Sequence, residues 1–156
     1  MLGLCLGLPI SPAIQAGQIV AHALTVEQAR IHPAPPQAPV RAGFARLHNA
    51  GEQDLVIDAM RSPTFGKIEL HEMHMEGGLM RMRPVASLRV PARGEVELKP
   101  GGLHLMLFQP VQSLELGSTA RIEFLSGDEV VASVEFIVAS SDGKPTSNAP
   151  VDGSTN

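Results

Sequence analysis

At 156 residues, the chain has room for one domain with short terminal extensions, and for a core that needs no covalent staples. A net charge of −4 with no basic cluster excludes a nucleic-acid footprint. Five Phe with neither Trp nor Tyr leave no aromatic platform on which bases or sugars would stack.

Residues 1–23 carry no charge. Leu2 opens a short apolar run that reaches Ile10, and Ala21-His22-Ala23 fits an A-x-A cleavage site, so residues 1–23 read as a secretory signal. The run is too short to span a bilayer. Pro9 and Pro12 count against the competing reading, an N-terminal strand. The only cysteine, Cys5, lies in this leader. An exported chain would then have no thiol, which rules out thiol–disulfide exchange and cysteine nucleophiles.

Residues 24–31 alternate apolar and polar side chains and open the domain as a strand. His32-Pro33-Ala34-Pro35-Pro36 follows as an extended loop, with His32 exposed rather than a ligand. Residues 40–48 alternate and stop at Asn49-Ala50-Gly51, which places His48 at a strand end. Residues 55–60 form the next strand, with Met60 in the core and Ser62-Pro63 closing it. Residues 67–75 and 79–82 form a hairpin, and Arg83-Pro84 breaks its second strand. Residues 88–90 and 95–98 flank the turn Pro91-Ala92-Arg93-Gly94. Lys99-Pro100-Gly101-Gly102 turns the chain into a strand from Leu103, ended by Phe108-Gln109-Pro110. Residues 120–125 and 130–138 make a last hairpin around Ser126-Gly127-Asp128. Residues 140–156 are rich in Ser, Gly, Pro, Asp and Asn, lack His and Met, and read as a disordered tail. No segment sustains a helical period. Roughly eight to nine short strands, with turns every ten or so residues, predict an all-β sandwich or closed barrel over residues 24–139.

The chemistry concentrates between His71 and Met106. Ten residues separate His71 from Met82, twenty-one separate Met82 from His104, and one separates His104 from Met106. Two imidazoles and two thioethers make a soft, neutral donor set. Thioether selects Cu(I) over Mg, Ca or Mn, which want oxygen, and zinc sites use thiolate, imidazole and carboxylate instead. In Leu103-His104-Leu105-Met106-Leu107, strand alternation sends the leucines to one face and His104 with Met106 to the other, roughly 6.6 Å apart at Cα. Ile68 and Leu70 face together, away from His71. Met80 and Met82 share a face, with Arg81 and Arg83 on the other.

Glu76-Gly77-Gly78 reads as a tight hairpin turn. With Glu76-Gly77 at its centre, His71 lies opposite Met82. With Gly77-Gly78 at its centre, Met73 takes that place and His71 becomes a diagonal neighbour. Each residue also has a plainer reading. A lone Met on a strand is usually core filler, and a lone His at a strand end is usually hydrogen-bonded or exposed. What favours a metal here is that all four sit opposite their aliphatic neighbours within one two-hairpin segment. Met73, His74 and Met75 offer a second copper contact or a hand-off path, against the blander reading as a hairpin tip.

The same residues carry a resemblance. Ile68-Glu69-Leu70-His71-Glu72-Met73, Met80-Arg81-Met82-Arg83-Pro84, Val96-Glu97-Leu98-Lys99-Pro100-Gly101-Gly102 and His104-Leu105-Met106 resemble the PCu(A)C family of periplasmic copper chaperones. The resemblance runs from about Thr25 to about Ala139 and matches the four-ligand spacing without a gap. Where family members often carry Trp after His-Pro, this chain has Ala34. The resemblance implies a cupredoxin-like β-barrel or sandwich (Greek key) that binds one Cu(I) per chain through His71, Met82, His104 and Met106. It implies a metallochaperone rather than an enzyme, exported across the inner membrane to the periplasm. Its partner would be a copper-receiving subunit of a haem–copper oxidase, at the Cu(A) or another copper centre, or another copper-assembly protein. We expect a monomer with no membrane span once the signal has left.

Neutral ligands would leave the Cu(I) site positively charged and favour transfer to thiolates, while two thioethers disfavour Cu(II). Imidazole binds only when neutral, so affinity should weaken below about pH 6.5, the ordinary imidazole value. The competing readings are copper storage with the same site, a metal-free β-sandwich interaction module, and a copper enzyme. A histidine brace would need cleavage after Ala21 to expose His22, whereas the A-x-A pattern favours cleavage after Ala23. No Ser-His-Asp set or carboxylate pair suggests hydrolysis.

Overall fold

The computed structural model describes residues 23–140. The expected signal up to His22, with Cys5, and the expected tail from Ser141 onward lie outside the described residues. Among the described residues there are eleven strands and no helix. They are β1 (Leu24–Ile31), β2 (Val40–Asn49), β3 (Leu55–Ile57), β4 (Ala59–Arg61), β5 (Phe65–Glu76) and β6 (Leu79–Val85), then β7 (Leu88–Val90), β8 (Gly94–Leu98), β9 (Leu103–Pro110), β10 (Thr119–Ser126) and β11 (Glu129–Val138).

The main sheet runs in the order β4-β10-β11-β1-β2-β9-β5-β6, and β3 pairs β7 in a separate ribbon. Only the β1–β11 pair is parallel. β2 joins the two halves. One of its edges pairs β1, while the other pairs β9 from Val40 to Gly43 and β8 from Ala45 to Asn49. The sheet curls until β4, at one end, packs near β5. The enclosed core holds Ile31, Leu47, Leu98, Leu105, Leu107, Ile122, Phe124 and Phe136, all fully buried, and Met60 packs against it as expected. Burying each such side chain is worth about 1.5–3 kcal/mol, which is what holds a fold without disulfides together.

Three readings of the sequence need correction. The expected strand 55–60 is two strands, broken at Asp58. The Asp58 N–H donates to Leu125 O at 3.1 Å and its carboxylate accepts from Gly127 N–H at 3.0 Å, so the chain leaves the β7 ribbon and joins β10. Pro84 does not break β6, which continues to Val85 with Pro84 opposite His71. β6 is an edge strand, where a missing N–H need not cost a ladder bond. The strand count exceeds the expected eight to nine, the split of residues 55–60 into β3 and β4 adding one, and β3, β4 and β7 are only three residues each.

Two polar anchors fix loops that alternation leaves open. Arg41 is buried on the core side of β2, and its guanidinium donates to the carbonyls of Pro35, Pro36 and Leu114 at 2.9–3.1 Å. Asp54 accepts the Ala92 N–H at 2.9 Å and pairs with Arg89. The Ala92 N–H and then Arg89 hold this carboxyl below the usual carboxylate range. A depressed folded-state value means stability that is present above the unfolded value and lost as acid protonates the folded carboxylate. Asp54→Asn should therefore be less stable than the parent chain at pH 7, and the gap should close progressively below about pH 3.9. Urea unfolding at pH 7 and at pH 2 measures both ends.

Candidate metal centre

The β5–β6 turn decides the register. Glu76 pairs Leu79, so Gly77 and Gly78 are the two central residues. Their φ angles are +59° and +80°, the mirror-image conformation that a two-residue hairpin demands and that glycine adopts without strain. Of the two registers open from the sequence, this is the second: Met73 lies opposite Met82, and His71 faces Pro84 with Met82 on the diagonal.

On the other side of β5, His71 lies directly opposite His104 on β9, and Glu69 opposite Met106. Directly opposed residues share a face, and so do residues two apart. All four predicted ligands therefore stand on one face of three neighbouring strands: His71 on β5, Met82 on β6, His104 and Met106 on β9. Leu105 and Leu107 point the other way, into the core. The two imidazole rings have centroids 6.2 Å apart.

Hydrogen bonds define which nitrogens remain available. The His71 Nε2 lies 2.8 Å from a Glu69 carboxylate oxygen, which only accepts, so Nε2 carries the proton. In neutral His71 the lone pair is then on Nδ1, an atom that is buried and has no hydrogen-bond partner. His104 Nδ1 lies 2.9 Å from Gly102 O, again an acceptor only, which leaves the Nε2 lone pair free. The same Gly102 carbonyl accepts the Met73 N–H at 3.2 Å and so ties β5 to the turn that orients His104. That turn depends on Gly101, whose φ is +77°. A buried ring nitrogen left unpaired is costly unless something else meets it. A carboxylate or carbonyl behind each imidazole is the arrangement that metal-binding histidines use to fix tautomer and orientation.

The surroundings are apolar and open on one side. Phe108 lies behind His71, with ring centroids 6.4 Å apart. Phe44, on the same side of the sheet, is buried under Arg30, whose guanidinium sits 5.3 Å above the ring. His104 is buried and Met106 partly so, whereas Met82 is 46 % exposed. His32 is in this neighbourhood but packs its ring against Phe44 at 6.4 Å, and its N–H donates to Ala42 O. Lys67 at 2.5 Å, and then His71, hold the Glu69 carboxyl below the usual range, so it stays an acceptor. Among the described residues no group of three or more His, Cys, Asp or Glu side chains is placed to hold a metal, which leaves the soft His/Met set as the candidate.

Sequence reasoning missed Glu69 as the partner of His71. The signal was there, since residues two apart on a strand share a face. Glu69→Ala should weaken binding of a Cu(I) probe by about 10–100-fold, the usual cost of losing such a supporting group. Competition against a chromophoric Cu(I) chelator measures it.

Comparison with known proteins adds to this geometry. The sequence profile of the LpqE-like lipoprotein family matches residues 24–138. Lipoprotein Lxx21020 of Leifsonia xyli subsp. xyli is 28 % identical over 88 residues, 56 % of this chain and 53 % of that protein, so the chain spans about half the length of this relative. DR1885 of Deinococcus radiodurans has been solved in solution as the apo form, 27 % identical with a TM-score of 0.58, covering 88 % of this chain and 93 % of that one. Its CuI form is 26 % identical with a TM-score of 0.55, covering 81 % and 85 %. The copper-bound PCuAC domain from PmoF2 superimposes with a TM-score of 0.61 over 74 % of this chain and 92 % of that one. At 13 % identity this last likeness shows the shared fold alone.

Proposed function

Because this chain belongs to the LpqE-like family, which is the PCu(A)C family of cupredoxin-like domains, we propose that it is an exported carrier of one Cu(I) ion, held by His71, Met82, His104 and Met106. The observation that carries this reading is the buried, unpartnered Nδ1 of His71, a residue directly opposite His104 in the β5–β9 pair, with the thioethers on the same face. That a related protein of similar length has been solved with CuI supports the choice of metal.

Copper is cargo here. Two imidazoles and two thioethers are all neutral, so the loaded site keeps the positive charge of the ion. A recipient offering thiolates neutralises that charge, which makes onward transfer favourable. Met82 is half exposed on an edge strand, so an incoming ligand can approach the metal from its side and displace it first. The buried His104 and partly buried His71 would release last. This order suits a carrier that must let go, and no step of it makes or breaks a covalent bond in a substrate.

The family and the Leifsonia relative are named as lipoproteins, which supports an exported, envelope-associated protein. We assign residues 1–23 to the export signal, 24–139 to the copper-binding domain and 140–156 to a tail, and place the domain in the periplasm. No helix among the described residues is long and apolar enough to cross a membrane. The recipient we propose is a copper centre of a haem–copper oxidase. Deleting the gene should lower oxidase activity at limiting copper, and the wild-type gene should restore it. Undiminished activity in the deletion strain at limiting copper would reject delivery in favour of storage.

A further inference from the structure

Beyond the four-residue site, we propose a second Cu(I) position at the tip of the β5–β6 hairpin, formed by the thioethers of Met75 and Met80, which loads the inner site through Met73 and Met82. The proposal rests on the carrier reading above.

Four of the chain's seven methionines lie on this hairpin, and the register arranges them as two directly opposed pairs, Met73 with Met82 and Met75 with Met80. Both pairs share the face that carries His71. The hairpin projects past β9, whose pairing with β5 ends at Glu72 opposite Leu103. There is thus no core for this face to cover, and Met75, Met80 and Met82 are 64 %, 49 % and 46 % exposed. The opposite face of the same arm is built as an exposed surface normally is. Glu76 pairs there with Arg81 at 3.1 Å and Arg83 at 2.9 Å, with His74 beyond at 3.9 Å. Leu79, opposite Glu76 at the turn, is the one apolar side chain on the charged face; the arm otherwise keeps a charged face and a thioether face where burial no longer requires the division. Glu76 pairs with both arginines and Glu72 stands opposite Arg83, so carboxylates and guanidiniums balance on that face and do not repel a monovalent ion from the methionine side.

Geometry permits the binding. Opposed residues hold their Cβ atoms roughly 4.5–5.5 Å apart. Met has three rotatable side-chain bonds and a polarizable sulfur, so two opposed thioethers can close on one soft ion. Each rung lies two residues from the next, roughly 6.8 Å along the strand. Copper would arrive at Met75 and Met80, pass to Met73 and Met82, and end between His71, His104, Met82 and Met106. Between the methionine pairs, each copper–sulfur bond that breaks is replaced by another, and at the inner site the bond to Met73 breaks as bonds to His71, His104 and Met106 form. The ion stays Cu(I) throughout, and no proton or electron moves, because thioethers carry no ionisable proton. The direction is inward because only the inner position adds two imidazoles.

The test is a titration of the whole chain, labelled at its methionine methyls and histidine rings, with Cu(I) under anaerobic conditions, followed by NMR. The first equivalent should move the rings of His71 and His104 with Met82 and Met106. The second should move Met75 and Met80. In Met75→Leu/Met80→Leu, a near-isosteric change on exposed positions, the first equivalent should bind with unchanged affinity and the second should be lost. Loading from a chelated Cu(I) donor should also slow severalfold. Methyls of Met75 and Met80 that stay still through two equivalents, or a second equivalent retained by the double variant, overturn the outer position while leaving the inner one intact. Rings of His71 and His104 that never move overturn the inner site, and the relay with it.

Discussion

Replacing Met82 and Met106 together with Leu is expected to weaken Cu(I) binding by more than about 100-fold, with the fold intact. Loss of a group that merely supports a ligand costs about 10–100-fold, so removing two direct donors should exceed the upper end of that range. Leu has nearly the volume of Met and no lone pair to offer a metal. Met-to-Leu exchanges usually cost less than about 1.5 kcal/mol even in a core, and neither site here is a full core position. Met82 is 46 % exposed and Met106 lies on the outer face of β9, opposite Glu69. Chelator competition reads the affinity, and urea unfolding of the metal-free protein checks the fold. An affinity equal to the parent's would remove both sulfurs from the site.

Leu105→Ala should do the reverse. Leu105 is fully buried between the two proposed ligands of β9, opposite Leu70 on one neighbour and Gly43 on the other. Truncating such a leucine costs about 2–5 kcal/mol, part lost transfer energy and part cavity. For a domain of this size that lowers Tm on the order of 10 °C. Its side chain points away from His104 and Met106, so the folded fraction at low temperature should lose far less Cu(I) affinity than the double methionine variant does. The crossed pair separates the two faces of one strand: one change spends the core and spares the metal, the other spares the core and removes the metal. A Leu105→Ala protein with parental Tm would contradict the packing described for β9.

How legible all this was depends on the range of the interaction that decides each feature. The alternation in Leu103-His104-Leu105-Met106-Leu107 is local, and the structure has Leu105 and Leu107 buried in the core. The hairpin register was not legible, because a one-residue shift of the turn centre is compatible with the same sequence. Only the paired glycines, both at positive φ, settle it. β2 was harder. Its pattern Val40-Arg41-Ala42-Gly43-Phe44-Ala45 mixes apolar and polar residues on both faces. The core side takes Arg41, which alternation would have sent to solvent, because its Nη2 donates to three loop carbonyls there. Phe44 goes to the other side, where Arg30 and His32 cover it. Such long-range partners leave no trace in local periodicity. The break at Asp58 has the same origin, since its partners are Leu125 and Gly127. Glu69 is the opposite case, a local contact two residues from His71 that the sequence offered and that strand alternation alone would have flagged.

The atoms that surround the copper distinguish this site from every alternative. X-ray absorption at the copper edge of the Cu(I)-loaded chain counts them directly. Two sulfur and two nitrogen neighbours, falling to nitrogen alone in Met82→Leu/Met106→Leu, is the predicted result. A first shell of light atoms only in the parent chain, with no sulfur contribution, would contradict it.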